Sequence, residues 1–146
     1  MLIANMEFVH TVRLLLSSGH KVRFHVRGRS MYPILKGGRD QVILESAKNI
    51  KEKDLVLAQV RSGYYVLHRV IRKDGDQLTL MGDGNLTITE ECSCSNVVGK
   101  VEMVLINGRW IRTDGFGFRI YSAVWIQLIP LKKILFIFCR FINRYR

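Results

Sequence analysis

Three segments of the chain carry side chains that together could perform acyl transfer. Each lies where a strand is predicted to end, and in chain order they supply Ser30, His68 and Asp83. A serine hydroxyl becomes a nucleophile when a base takes its proton, and an imidazole with an ordinary pKa of about 6.5 is such a base. A carboxylate can orient that imidazole. The residue types therefore indicate a serine nucleophile assisted by a histidine base.

The sequences around these three residues form recognisable motifs. They read VRGRSMYP over 26–33, VLHRVI over 66–71 and MGDGN over 81–85. The combination resembles the active-site motifs of signal peptidase I and LexA-type serine peptidases, and more closely the small bacterial S24/S26-type peptidases of similar length. The resemblance extends from about Arg23 to Arg112. It implies a coiled, largely antiparallel β domain, and the three motifs in this order are more specific than any one of them.

The resemblance assigns a role to each matching residue. Ser30 matches the nucleophile, and His68 matches the base position, which holds lysine in bacterial signal peptidases and LexA but histidine in the endoplasmic-reticulum and archaeal types. Asp83 matches the aspartate of the Gly-Asp box. Asp40 and Asp54 match two acidic positions on the intervening strands. The implied supporting acid for the histidine is Asp83 or, failing that, Asp54 or Asp40.

The implied reaction is the hydrolysis of a peptide bond by acyl transfer. Ser30 attacks the carbonyl while His68 takes its proton and later returns it to the leaving amine. The backbone N–H of Ser30 is the expected oxyanion donor, and Met31 and Gly28 are the other expected oxyanion or substrate-positioning residues. Signal peptidases often carry a serine donor where Gly28 stands, and a glycine where Lys53 stands.

The choice of histidine also predicts the surroundings of the base. A lysine must lose about three pKa units to work near neutrality, which requires deep burial. A histidine needs no such shift, so we expect His68 to act in a more open cleft. Strand alternation predicts that His68 shares one face of its strand with Tyr64, Val66 and Val70.

Hydrophobic periodicity predicts the elements that position these motifs. A helix is expected over 3–18, a polar loop over 82–96 and a basic amphipathic helical tail over 119–146, broken or kinked at Pro130. The fold class is mainly β, with an N-terminal helix (1–19), a β peptidase domain (20–118) and the tail. Strands are predicted over 22–26, Gln41–Glu45, Leu55–Arg61, Tyr64–Arg72, Gln77–Met81, Val97–Ile106 and Arg109–Thr113.

The charge of the chain predicts an anionic partner. Its 146 residues suffice for one domain and carry 23 Lys and Arg against 12 Asp and Glu, for a formal charge of +11. No acidic residue follows Asp114.

The tail either packs its apolar stripe on the β domain or contacts an anionic membrane surface, and the second interpretation is favoured. Its expected membrane-contact residues are Trp125, Lys132, Lys133, Phe138 and Arg140. Nucleic acid is disfavoured, because no helix-turn-helix precedes the β domain.

The sequence predicts neither a cofactor nor a metal. Cys92, Cys94 and Cys139 have no spacing that would give a disulfide framework or a four-ligand zinc site. No secretory signal and no uninterrupted apolar span of about 20 residues is found, so we expect a cytoplasmic protein with peripheral membrane attachment.

Two functions from different classes remain in competition. The favoured one is a serine endopeptidase that processes a precursor or leader peptide. The alternative is a catalytically inactive S24/S26-like β module that serves as a binding or accessory protein. A self-cleaving regulator is disfavoured, because residues 1–20 contain no Ala-Gly or Cys-Gly pair.

Overall fold

The computed structural model describes residues 6–85 and 87–144, and in this part of the chain helices flank a run of strands. The predicted mainly-β class with a helix at the start and helices at the end is confirmed. The elements are α1 (Met6–Ser17), β1 (Val22–His25), β2 (Gln41–Glu45), β3 (Leu55–Arg61), β4 (Tyr64–Asp74), β5 (Gln77–Met81), β6 (Glu90–Ser93), β7 (Val97–Ile106), β8 (Arg109–Arg112), α2 (Phe116–Gln127) and α3 (Ile129–Arg144).

The described strands form one curled antiparallel sheet. Its order is β1-β2-β7-β3-β4-β5-β6, with β8 paired to β7. The long strand β7 organises this arrangement, since it pairs with β2 over most of its length, with β3 near its start and with β8 near its end. Strand β1 leads into the first motif and β5 into the third, whereas the second motif lies inside β4 and not at a strand end as predicted.

The central strands β3 and β4 are buried on both faces. Leu57 and Leu67 belong to one hydrophobic cluster, which also receives α1, whereas Val66 and Val70 belong to a second cluster. Because side chains alternate along a strand, consecutive residues of β4 point to opposite sides of the sheet. His68 therefore shares the face of Val66 and Val70, as predicted, and Arg69 lies on the other face.

The segment predicted as a polar loop over 82–96 contains a strand. The prediction was wrong at β6, whose four residues pair with β5 from Leu80↔Glu90 to Gln77↔Ser93. A short 3₁₀ turn, Cys94–Asn96, follows. The sequence Glu-Glu-Cys-Ser has little strand propensity, so this strand depends on the hydrogen bonds that β5 offers.

The terminal helices differ from the predictions in their boundaries. Of the helix predicted over 3–18, residues 3–5 lie outside the described residues, and α1 ends at Ser17. Helix α2 begins at Phe116, before the predicted tail boundary at residue 119. The break falls at Leu128, and Pro130 lies in the first turn of α3, where a proline is tolerated. Residues 145–146 of the predicted tail are outside the described part.

Within the described residues, none of the helices is by itself both long and apolar enough to cross a membrane. Only the pair Phe116–Gln127 and Ile129–Ile142, bent by 46° at the break, reaches that length and composition.

Candidate active site

The loop that carries Ser30 connects β1 to β2 and is anchored in the core. Met31 is 1% exposed and belongs to the first hydrophobic cluster, whereas Ser30 is half-buried. The Ser30 carbonyl oxygen accepts a hydrogen bond of 2.8 Å from the backbone N–H of Gly84. This bond joins the first motif to the third. The side chain of Met31 is thus a core residue that holds the loop, and only its backbone remains available for the predicted oxyanion or substrate-positioning role.

Asp40 closes the same loop. Its buried carboxylate accepts a 2.7 Å hydrogen bond from the Lys36 backbone N–H and forms a two-point ion pair with Arg39 at 2.6 and 2.9 Å. Burial opposes its negative charge, but the bonds from Arg39 and Lys36 stabilise the charge, and the net effect lowers the pKa of Asp40. Asp40 therefore has a structural role in the loop and does not orient His68, contrary to the alternative considered from the sequence.

His68 is buried and faces a carboxylate that the sequence did not single out. Only 2% of its side chain is exposed, and its Nδ1 lies 2.7 Å from Oε2 of Glu90, the first residue of β6. The two atoms are close without the alignment of a standard hydrogen bond. Catalytic hydrogen bonds often tighten only when substrate binds. Glu90 thus occupies the position predicted for Asp83.

The burial of His68 corrects the expectation of an open cleft. Burial lowers the pKa of His68 to about 3 and raises the pKa of Glu90. The imidazole is therefore neutral near neutral pH, the form in which it can accept a proton. The nearby Glu90 carboxylate would stabilise the imidazolium that results. His68 is held on β4 by strand packing, as the sequence predicts, but it is buried rather than placed in an open cleft.

Gly82 brings the first two motifs together. A Cβ atom built at this glycine would collide with the carbonyl oxygen of Ser30 and would lie 3.0 Å from Nε2 of His68 and 3.1 Å from Nδ2 of Asn85. The Ser30 backbone and the reactive nitrogen of His68 therefore flank the same point. A glycine is required there because any side chain would force these groups apart.

We expect Gly82→Ala to separate Ser30 from His68. The added methyl group has no space, so the substitution should lower the reactivity of Ser30 toward a serine probe by at least about tenfold and also destabilise the fold by about 1–3 kcal/mol. Labelling kinetics and chemical denaturation measure the two effects. Gly117→Ala is the control, because a Cβ at this helical position meets nothing within 4 Å. Unchanged labelling by Gly82→Ala would contradict the close approach.

Asp83 does not contact His68 but is bound to Arg69. Its two oxygens accept hydrogen bonds of 2.8 and 2.7 Å from Nε and Nη2 of Arg69, and both side chains are at most 1% exposed. A buried charge is tolerated only when it is paired in this way. The predicted role of Asp83 as the acid that orients His68 is therefore wrong in this structure. Its role is to fix the Gly82–Asn85 loop to β4.

Arg69 also connects this loop to the tail. Its Nη1 donates to the Ser122 hydroxyl in α2 at 2.5 Å and to the Lys53 carbonyl at 3.1 Å. The guanidinium carbon lies 5.7 Å from the ring centre of Phe118 and 5.8 Å from that of Tyr121. Two helix rings and three hydrogen-bonding groups thus surround this one cation, and α2 becomes part of the structure that supports the site.

Asp54, the remaining acidic candidate, stabilises a turn before β3. Its carboxylate accepts a 2.9 Å hydrogen bond from the Lys51 N–H, and its carbonyl accepts one of 2.8 Å from the Val70 N–H. Asp54 does not orient His68. Lys53, beside it, has a φ of 80°, the left-handed conformation that favours glycine. A glycine would adopt this conformation without strain.

Gly28, two residues before Ser30, lies beside a tight backbone contact. A Cβ built at Gly37 would collide with the backbone of Gly28. Gly28 itself has a φ of 79° and is exposed. Gly28 has no side chain that could donate a hydrogen bond. Its predicted contribution to oxyanion binding is therefore limited to the backbone conformation that it gives the loop before Ser30.

The described residues contain no cluster of side chains that could hold a metal ion. No three His, Cys, Asp or Glu side chains converge in a geometry that could hold an ion within residues 6–85 and 87–144. A cavity of about 280 Å³ is lined by charged side chains such as Glu102 and Arg112, together with Ser122, and includes neither Ser30 nor His68. Among the described residues, Ser30, His68 and Glu90 remain the candidates for the chemistry that the sequence predicts.

Comparison with known proteins identifies no family for this chain. No protein-family model matches the chain, and no curated protein matches it. What the structure establishes is the coarse class, a mainly-β fold built on one curled antiparallel sheet, with three α-helices among the described residues.

Proposed function

We propose that this chain is a serine endopeptidase of the signal peptidase and LexA type, with an S24/S26-like β fold. It would cleave a peptide bond in a precursor or leader peptide. The observation that carries the proposal is the convergence at Gly82, where the Ser30 backbone and Nε2 of His68 flank one point. The approach of Glu90 to the far nitrogen of His68, at 2.7 Å, supports the same reading.

In the proposed reaction, the Ser30 hydroxyl attacks the substrate carbonyl carbon as Nε2 of His68 takes the hydroxyl proton. The tetrahedral intermediate collapses when the C–N bond breaks and the imidazolium returns its proton to the leaving amine. A water molecule then repeats the sequence on the acyl-enzyme and releases Ser30. The backbone N–H of Ser30 is the proposed oxyanion donor.

Glu90 replaces Asp83 as the supporting acid in this mechanism. Its carboxylate lies beside Nδ1, so it would hold the imidazole in the tautomer whose Nε2 is unprotonated. It would also stabilise the positive charge that His68 carries between the two proton transfers. Asp83 contributes indirectly, because its ion pair with Arg69 holds the loop that contains Gly82.

Covalent labelling of the purified full chain tests this proposal. Some signal peptidases resist ordinary serine reagents, so both a fluorophosphonate and a lipopeptide inhibitor are used as probes. We expect labelling at Ser30 that is abolished by Ser30→Ala and lowered at least about 10³-fold by His68→Ala. Ser62→Ala and His25→Ala, which alter an exposed serine and an exposed histidine, are the matched controls and should label normally.

A second function, a non-catalytic binding module, is favoured by one observation. Burial lowers the pKa of His68 to about 3, whereas a general base works best with a pKa near the operating pH. A folded protein that neither probe labels, or that labels equally well after His68→Ala, would overturn the peptidase proposal in favour of this alternative.

A further inference from the structure

An apolar stripe runs along the outer side of α2 and α3, the two helices that follow the sheet. Its members recur every three or four residues and continue across the break between α2 and α3, so the stripe follows the helical repeat. In α3 most of these side chains are about 60% exposed, as with Leu135 at 60% and Phe138 at 59%. The stripe comprises Phe116, Ile120, Val124, Leu128, Leu131, Leu135, Phe138 and Ile142, and on α3 it is widened by Ile134 and Ile137, which are 64% and 66% exposed. The β domain therefore leaves it uncovered.

The same segment carries only positive charge. No aspartate or glutamate follows Asp114. Arg119, Arg140 and Arg144 are exposed, and Lys133 is half-buried on α3. Basic side chains beside an apolar stripe are the composition of helices that lie in the interface of anionic lipid, where the apolar face enters the acyl region and the cations meet headgroup phosphates.

Helix α2 is fixed to the β domain rather than trailing from it. Phe118 and Ser122 are buried, and Ser122 accepts the hydrogen bond from Arg69. Tyr121 stacks on Trp125 with ring centres 5.7 Å apart, and the ammonium of Lys132 lies over the Trp125 ring. The inner face of α2 is therefore occupied by intramolecular contacts, and the uncovered stripe is the face that remains for a partner.

We infer that α2 and α3 dock the protein peripherally on an anionic lipid surface through this stripe. A second copy fits less well, because two such tails would bring like charges together without an acidic residue to pair them. A hydrophobic groove on an acidic partner protein usually binds the apolar side chains of a single helix. This stripe instead extends over two helices that are bent by 46° relative to each other. A bilayer interface accepts both the bend and the uniform positive charge.

The expected strength of the electrostatic part sets the scale of the test. Each lysine or arginine near an anionic membrane contributes about 1 kcal/mol, so removing three should weaken binding about a hundredfold. Lys133, Arg140 and Arg144 are suitable for this purpose. Lys132 is left intact, because it packs on Trp125 and its removal would disturb the fold.

The test is flotation of the purified full chain with phosphatidylcholine vesicles that contain or lack phosphatidylglycerol. We expect binding only to the anionic vesicles, weakened by added salt as the lipid charge is screened. The triple variant Lys133→Gln, Arg140→Gln and Arg144→Gln should lose about a hundredfold in affinity. The variant Leu135→Ser with Phe138→Ser should also lose binding, since it removes apolar contact area.

Matched control variants show whether vesicle binding depends specifically on the stripe. Arg61→Gln with Arg72→Gln removes exposed cations of the β domain, and Ile88→Ser removes an exposed apolar side chain there. Both should bind as the unaltered chain does, and so should Ser30→Ala, because docking does not depend on peptidase chemistry.

The inference would be overturned if the folded chain bound neither kind of vesicle, or if it bound both kinds equally at high salt. It would also be overturned if the chain formed a dimer that binds no vesicle and that the variant Leu135→Ser with Phe138→Ser dissociates.

Discussion

Glu90→Gln is expected to lower the rate at which a serine probe acylates Ser30 by about 10²–10⁴-fold. The range is that of a supporting acid in a serine–histidine system, where loss of the carboxylate leaves the imidazole in the wrong tautomer and its cation unstabilised. Glu90 lies 2.7 Å from Nδ1 of His68, and 20% of its side chain is exposed. This partial exposure places the expected loss below that of removing His68 itself. Stopped-time labelling measures the rate directly.

The pH profile separates this role from a purely structural one. Because the carboxylate stabilises the protonated imidazole, its removal should lower the pKa of His68 further, and the acidic limb of the labelling profile should move to lower pH. The direction follows from charge alone. A substitution that merely loosened β6 would expose His68 to water and move the same limb to higher pH, toward the ordinary pKa of histidine.

Glu91→Gln is the matched control for this prediction. Glu91 follows Glu90 on β6, is exposed and points to the other side of the strand. Its substitution should leave both the labelling rate and the pH profile unchanged. If Glu90→Gln labels as fast as the unaltered chain, Glu90 does not support the base, and the proposed mechanism loses its third member.

Arg69→Met should lower the free energy of unfolding by about 3–5 kcal/mol. Removing one partner of a buried ion pair leaves the other charge without compensation, and here the orphaned group would be the carboxylate of Asp83, which is 1% exposed. The substitution also removes the bonds to Ser122 and to the Lys53 carbonyl. Urea denaturation measures the loss, which is large compared with the stability of a small domain.

Two further variants show whether the ion pair is responsible. Arg69→Met combined with Asp83→Leu should cost clearly less than the sum of the single substitutions, since no charge is left buried alone. Arg112→Met breaks an exposed pair with Asp114 of nearly the same length, 2.9 Å, and should cost less than about 1 kcal/mol. Equal losses for Arg69→Met and Arg112→Met would contradict the assigned role of Arg69.

Much of the sheet could be predicted because its strands are runs rich in β-branched and other apolar residues and its turns have distinctive residues. Asn107-Gly108 lies in the tight turn between β7 and β8, and Asn107 has a φ of 49°, the conformation this pair favours. Strand β6 was missed for the opposite reason. Its residues Glu90–Ser93 are polar or small, and only pairing with β5 makes them a strand.

The incorrect placement of Asp83 beside His68 follows from the failure to predict β6. When 82–96 is predicted as a loop, the sequence does not place Glu90 near His68, and the resemblance implies Asp83 as the supporting carboxylate. Asp83 in turn binds Arg69, the residue directly after His68. That pairing cannot be read from spacing, because it depends on which face of β4 each side chain occupies and on the cover that α2 provides. Burial, which lowers the pKa of His68, likewise comes from neighbouring elements and not from local sequence.

The position of His68 and Arg69 on consecutive residues of β4 makes the site sensitive to strand registration. A one-residue slip of β4 against β3 would exchange the two sides of the sheet, turning a guanidinium toward Ser30 and an imidazole toward α2. The register of β4 against β3 shifts at a bulge between Gln59 and Arg61, and Ser62-Gly63 forms the turn that leads into β4. An insertion or deletion of one residue in this hairpin would therefore exchange the sides of the sheet on which the imidazole and the guanidinium lie, without altering either residue.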